Sequence, residues 1–229
     1  MKIYAFIFAR GGSKGLKKKN LRKINNKELI YYPIAFAKKI KQIDKIFIST
    51  DDEKIKKTAL KYGSEIINRP KKLAGSKSPE LLAWKHAVKH IMDKGDKFDL
   101  FVSLPATSPI KNKKDILGSI KLLKKDVDIV MTAKKSKWNP WFNMLTKNKQ
   151  DGYYDIVNSS KKEIYQRQLA PKTYDIVGSV YVTRPNYIIR SKNLLQGKKK
   201  IYEIPESRSI DIDSLQDFNF AKMLMKSNF

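Results

Sequence analysis

The chain has 229 residues, 41% of them hydrophobic and 31% charged, with no cysteine. That length carries one sizeable α/β domain, and the composition is that of a folded chain rather than a disordered one; disulfides and thiolate metal sites are excluded. A formal net charge of +27, from 49 Lys and Arg against 22 Asp and Glu, leaves anionic ligands or a nucleic acid open as partners, while the longest apolar run, Ile3 to Ala9, is too short to span a membrane or to act as a secretory leader, so the expected setting is the cytoplasm.

In chain order, Ile3–Ala9 predicts a buried strand and Pro33–Ile40 an amphipathic helix. Lys45–Ser49 predicts a second strand, followed by a helix from Asp52 to about Tyr62 whose start is supplied with capping oxygens by Thr50, Asp51 and Asp52. Ser64–Asn68 is a short third strand, and a helix runs from about Pro79 to Met92. Asp99–Leu104 and Asp126–Thr132 are further strands, separated by a helix over Lys113–Leu123. Residues 133–174 break the rhythm: Trp138, Trp141, Phe142, Tyr153, Tyr154 and Tyr165 stand among polar residues, as in a pair of strands and a loop. This excursion is either a partner surface, most simply for a second copy of the chain, or a local satellite cluster. The regular pattern resumes with Gly178–Thr183, Lys200–Ile204 and a closing helix from about Ser214 to Met225. Strands alternating with helices of this length imply a mainly parallel sheet covered on both faces, in a single domain without internal repeat or linker.

The strongest chemical feature follows the first strand: Ala9-Arg10-Gly11-Gly12-Ser13-Lys14-Gly15-Leu16-Lys17-Lys18-Lys19-Asn20. Three glycines allow backbone N–H groups to converge on an anion, and Arg and Lys add full charges. The loop leaves the carboxyl end of a first parallel strand, where open α/β sheets bind ligands. It is neither a G-x-x-x-x-G-K-S/T P-loop nor a G-x-G-x-x-G dinucleotide fingerprint. The lysines elsewhere (Lys38–Lys39, Lys56–Lys57, Lys124–Lys125, Lys198–Lys200) are spread along the chain and read as a solvated surface, which argues against a nucleic-acid-binding domain. Near the end, Ile210-Asp211-Ile212-Asp213 on an extended segment puts two carboxylates on one side, a donor set that suits Mg²⁺ (or Mn²⁺) completed by phosphate oxygens and water; Asp213 and Ser214 could instead cap the last helix. His86 and His90, four apart on a helix with no third ligand in view, are read as structural.

The loop resembles the R-x-G-S-K-G-x-x-x-K-N signature of the CMP-sialic acid synthetase (acylneuraminate cytidylyltransferase) family, matching it at Arg10, Gly12, Ser13, Lys14, Gly15, Lys19 and Asn20. Ser49-Thr50-Asp51, Arg69-Pro70 with Leu73-Ala74, Pro105-Ala106-Thr107-Ser108-Pro109, Gln166-Arg167-Gln168, and Tyr174, Gly178 and Tyr181 follow in the family's order, and the aspartates fall on its I-D-I-D segment. The resemblance implies a three-layer Rossmann-like nucleotidyltransferase fold, a mainly parallel sheet with helices on both faces and a small β-rich dimerisation excursion at about 133–174. It implies transfer of CMP from CTP to the anomeric hydroxyl of a nonulosonic (sialic-type) 2-keto sugar acid, with release of pyrophosphate, in lipopolysaccharide or capsule biosynthesis. Arg10 and Lys19 would then be catalytic; Gly11, Gly12, Ser13, Lys14, Gly15, Asn20, Arg69 and Glu80 would bind the nucleotide; Thr107, Ser108, Arg167 and Tyr181 would bind the sugar acid; Asp211 and Asp213 would hold the metal.

Three departures stand out. Pro105 replaces the family's glutamine, Val177 the asparagine of N-G-A-I-Y, and Glu80 a nucleotide-contacting serine. The phosphate loop and the aspartates are intact, so the reaction type is expected to hold while the acceptor is open among sialic, legionaminic, pseudaminic and Kdo-type acids.

Overall fold

The computed structural model describes residues 1–160 and 163–226. Two short strands follow the first: β1 Ile3–Phe8, β2 Lys23–Ile24 and β3 Lys27–Glu28. The remaining strands are β4 Lys45–Thr50, β5 Glu65–Asn68, β6 Leu100–Ser103, β7 Ile129–Lys135, β8 Leu145–Lys147, β9 Tyr154–Ile156, β10 Tyr174–Thr183 and β11 Lys199–Glu203. Six α-helices accompany them among the described residues: α1 Tyr31–Lys38, α2 Glu53–Lys61, α3 Glu80–Asp93, α4 Lys113–Leu122, α5 Pro185–Arg190 and α6 Leu215–Lys226. None is long and apolar enough to cross a membrane.

Seven strands form one sheet in the order β11-β7-β10-β6-β1-β4-β5. β1 pairs parallel to β4 and β6, β4 parallel to β5, and β7 parallel to β11. β10 runs antiparallel to both of its neighbours, with an irregularity between Ile176 and Tyr181. The sheet is therefore mixed but mostly parallel, as its buried, unalternating strands lead one to expect.

Period-two alternation in β1 divides the core. Ile3, Ala5 and Ile7 face the layer of α1, α2 and α4, meeting Ile34, Ile55 and Ile116; Tyr4 and Phe6 face α3 and α5, meeting Trp84, Phe98, Phe101 and Ile188. The α2 start is capped as expected, Asp52 Oδ1 accepting from the N–H groups of Lys54 and Ile55 at 2.8 and 2.9 Å. A third, smaller core gathers Leu16, Ile24, Leu29, Tyr32, Ile212, Phe218 and Met225. It locks the glycine loop to the C-terminal helix, and it decides the geometry of the site.

Residues 133–174 contain the expected pair of strands, the exposed β8–β9 hairpin, but both their ends belong to the central sheet: β7 runs on to Lys135, and β10 begins at Tyr174, four residues before the predicted strand. Lys161 and Lys162 lie outside the described residues. Two elements escaped sequence reading. The β2–β3 hairpin turns through Asn25 and Asn26 at φ 46° and 61°, left-handed values that asparagine tolerates. The other is the six-residue helix α5.

Candidate functional site

The cleft opens where β1, β4, β5 and β6 end, each strand delivering one loop to it. The glycine loop is fastened at several points. Ala9 N–H donates to the Ser49 carbonyl at 3.0 Å, Gly11 N–H to Asp51 Oδ1 at 3.0 Å, and Asn20 Nδ2 to the Arg10 carbonyl at 3.1 Å. Asp51, which sequence reasoning assigned to a helix start, thus also holds the loop.

Two lobes meet at Phe8 and Arg10. One, of about 200 Å³, is lined by Arg10, Ser13, Lys14, Gly15, Lys19, Asn20, Thr107 and Asp213. The other, of about 230 Å³, is lined by Arg10, Arg69, Ser76, Ser78 and Glu80 together with Leu73 and Ala83. The first concentrates three cationic side chains around a cavity suited to a polyanion. The second pairs apolar walls with polar groups, as a site for a flat, hydrogen-bonding ligand does. Its Ser78 hydroxyl is buried without a protein partner.

Arg69 is buried at the floor of the second lobe, where Nη2 donates to the Ser49 carbonyl at 2.7 Å and Nε to Ser49 Oγ at 3.1 Å, with the guanidinium 5.5 Å from the centre of the Phe8 ring. Burial lowers its pKa to about 10, opposed by the attraction of Asp51 and Glu80. Glu80 opens α3. Its Oε1 accepts from Trp84 Nε1 at 3.1 Å, and although the residue has solvent access through the cleft, desolvation by the surrounding protein raises its pKa. Tyr181 packs edge-on against Trp84, ring centres 5.7 Å apart; desolvation, then the charges of Glu80 and Asp211, push its phenol up to about 12.

The Asp211–Asp213 segment behaves as its alternation predicts: Ile212 is fully buried while both aspartates are exposed. Ser214 takes the α6 cap, its Oγ accepting from Asp217 N–H at 3.2 Å while Asp217 reaches back to the Ser214 N–H at 2.8 Å. Asp213 is left to face Lys19, whose Nζ donates to Asp213 Oδ1 at 2.8 Å and to the Ile212 carbonyl at 2.6 Å. The segment docks on the turn after β6 at two points: Ile212 N–H to the Thr107 carbonyl at 2.9 Å and Ser108 Oγ to the Ile210 carbonyl at 3.0 Å. Two exposed carboxylates beside a cationic lobe fit a hard divalent cation that draws its other ligands from phosphate and water. Among the described residues no group of three or more His, Cys, Asp and Glu could hold a metal; His86 and His90 merely stack, 6.3 Å apart.

The remaining expected residues stand in different settings. Ser108 is fully buried with its hydroxyl on Ile210, so it braces the acidic segment and does not face the cleft. Arg167 lies on an exposed turn, Arg167–Leu169, and lines neither lobe. Gly11 directs its N–H to Asp51 and packs on Asp52, where an added Cβ would lie 2.7 Å from Oδ2; it is a packing glycine rather than an anion donor. Gly15 lines the cationic lobe and is also closely packed, since a Cβ there would sit 2.4 Å from the Asp213 carbonyl oxygen; Gly12 faces open space. The Asn20 amide donates within the loop, and Val177 is buried, its carbonyl accepting from the Thr132 hydroxyl at 2.8 Å. Sequence reasoning missed Phe8 and Trp84, two rings of an apolar-looking pattern, and Lys111, one lysine among 49 basic residues.

Comparison with known proteins gives the family. A family model described as cytidylyltransferase matches residues 4–228. Post-translational flagellin modification protein B of Campylobacter coli is 34% identical over 227 residues, covering 98% of this chain and 95% of its own length. The CMP-N,N'-diacetyllegionaminic acid synthase of Campylobacter jejuni subsp. jejuni is 32% identical over 228 residues, covering 97% and 94%. A solved structure of a CMP:2-keto-3-deoxy-manno-octonic acid synthetase complexed with CTP superimposes with a TM-score of 0.72 over 100% of both chains; at 16% identity it speaks for the fold alone.

Proposed function

The chain belongs to the cytidylyltransferase family and is a nucleotidyltransferase, and from that premise we propose that it transfers CMP from CTP to the anomeric hydroxyl of a nonulosonic 2-keto sugar acid, releasing pyrophosphate. The observation that carries the reading is the pair of lobes joined at Arg10: three cations in one, an arginine, a carboxylate and an unpartnered hydroxyl in the other. The triphosphate fits the first and the nucleoside the second.

In this reading Arg10, Lys14 and Lys19 hold the phosphates and balance charge as the bond from the α-phosphorus to the departing pyrophosphate lengthens. Such transfers rely on positioning and electrostatics more than on covalent chemistry by the protein. Lys19 sits where it can exchange Asp213 for a phosphate oxygen. Asp211 and Asp213 would hold Mg²⁺ (or Mn²⁺), which when bound supplies Lewis-acid charge neutralisation. Glu80, Tyr181 and Asp211 influence one another electrostatically, which supports placing the acceptor beside them. The relative named for a legionaminic acid product favours a legionaminic-type acid over ordinary sialic acid.

The exposed Trp138, Leu145, Tyr153 and Tyr154 on the excursion support its pairing with a second copy of the chain, in a cytoplasmic dimer. The test of the function is a pyrophosphate-release screen of four nucleoside triphosphates against sialic, legionaminic, pseudaminic and Kdo-type acids with Mg²⁺. CTP with a nonulosonic acid is the expected productive pair, and turnover confined to another nucleotide or to Kdo would overturn the reading.

A further inference from the structure

Lys111 is the anomaly beneath the cleft. It is only 5% exposed and makes no ion pair within 4 Å among the described residues, so the fold carries a cation that its burial disfavours. Its Nζ donates to the Pro105 carbonyl at 2.8 Å and closely to the Ser108 carbonyl. Those carbonyls bracket the turn after β6. The same turn presents the Thr107 carbonyl to Ile212 and the Ser108 hydroxyl to Ile210, and so sets the height of Asp211 and Asp213 at the cleft. Two carboxylates act on the ammonium, Asp211 and Asp115, the latter held by Arg208 in a two-pronged pair at 2.7 and 3.0 Å.

We propose that Lys111 is a positioning residue for the nucleotidyl transfer: its ammonium draws the Pro105 and Ser108 carbonyls inward and so fixes the turn on which the Asp211–Asp213 segment rests. The proposal rests on the cytidylyltransferase reading for its catalytic consequence, but not for its structural content. Replacement by methionine keeps the length and removes every donor. It relieves an unfavourable buried charge while leaving two carbonyls short of a partner, and these effects on stability oppose each other. Activity has no such compensation, because the acidic segment loses its rest.

The experiment compares Lys111→Met, Lys111→Arg and the parent protein in amide hydrogen exchange, thermal unfolding and steady-state pyrophosphate release. In Lys111→Met the Ile212 amide is expected to exchange at least about tenfold faster while Tm stays within about 5 °C. The kcat is expected to fall about 10–100-fold with KM for CTP nearly unchanged, since the cationic side chains of the two lobes, Arg10, Lys14, Lys19 and Arg69, are untouched. Lys111→Arg, which keeps donors, recovers a good part of both. Unchanged Ile212 protection overturns the proposal whatever the activity, and so does faster exchange with unaltered kcat. If the parent protein releases no pyrophosphate from any pair, the functional reading fails while the exchange measurement still decides the role of Lys111.

Discussion

The contact between Gly15 and Asp213 permits a sharp test, because the loop's glycines look alike in sequence and differ in space. In Gly15→Ala the new Cβ would lie 2.4 Å from the Asp213 carbonyl oxygen, a backbone atom. Reaching an ordinary contact of 3.4 Å moves the loop or the acidic segment by about 1 Å. Neither yields freely. Leu16 and Ile212 share a buried cluster, Lys19 grips the Ile212 carbonyl, and Asp213 N–H donates to Asp217 at 3.1 Å. A displacement of that size between reacting groups costs about 100-fold in rate, or ~2.7 kcal/mol in the barrier. Gly12→Ala meets nothing within 4 Å and serves as the contrast. In pyrophosphate release, Gly15→Ala is expected to lose about two orders of magnitude in kcat and several degrees in Tm. Gly12→Ala should keep its Tm and show any loss in KM for CTP. Equal kcat in the two variants would refute the reasoning.

Two further predictions concern the support under the cleft. Arg208→Met leaves the Asp115 carboxylate, whose side chain is 1% exposed, without its cation, and should lower the free energy of unfolding by about 3 kcal/mol in urea titration; a loss under about 1 kcal/mol would show that Asn112 N–H alone satisfies it. Burial pushes the Lys111 pKa down to about 7 from an unfolded value of 10.5, with Asp211 and Asp115 opposing the shift. Between those values the unfolded chain holds a proton that the folded one has released, so this group's contribution to stability increases as pH rises through the window and is least below pH 7. From pH 7 to 9 the parent should gain about 2 kcal/mol relative to Lys111→Met, the titration of all other groups cancelling in the difference; parallel curves would mean that the ammonium is not desolvated.

Much of the fold was legible because its signals are local. The alternation of Ile3, Ala5 and Ile7 against Tyr4 and Phe6, the Asp52 cap and the Pro79 start all act within a few residues. Strand direction does not. Nothing in Gly178–Thr183 says that β10 runs against β6 and β7, because that follows from which neighbours have space for it. The helix α5 is too short to show a period, and β2–β3 consists of two-residue strands whose only mark is the Asn25-Asn26 turn. At the site, residue types announced the cationic loop and the paired aspartates. They could not announce orientation. Thr107 and Ser108 are adjacent hydroxyls in one turn, and only packing sends one toward the cleft and the other into the protein. Lys111 was hidden for the opposite reason, since its letter is the commonest charge on the surface and its role comes from being nowhere near it.

The grip of Lys19 on Asp213 joins residues 194 positions apart. A ribosome therefore delivers the basic loop well before its acidic counterpart, with every strand of the central sheet except β1 made in between. Until that stretch emerges, Lys19 lacks the Asp213 carboxylate and the Ile212 carbonyl that it grips in the folded chain. The loop reaches its folded geometry only once α6 has brought Ile212 and Phe218 against Leu16, so the two ends of that contact close late in folding however early the loop itself is made.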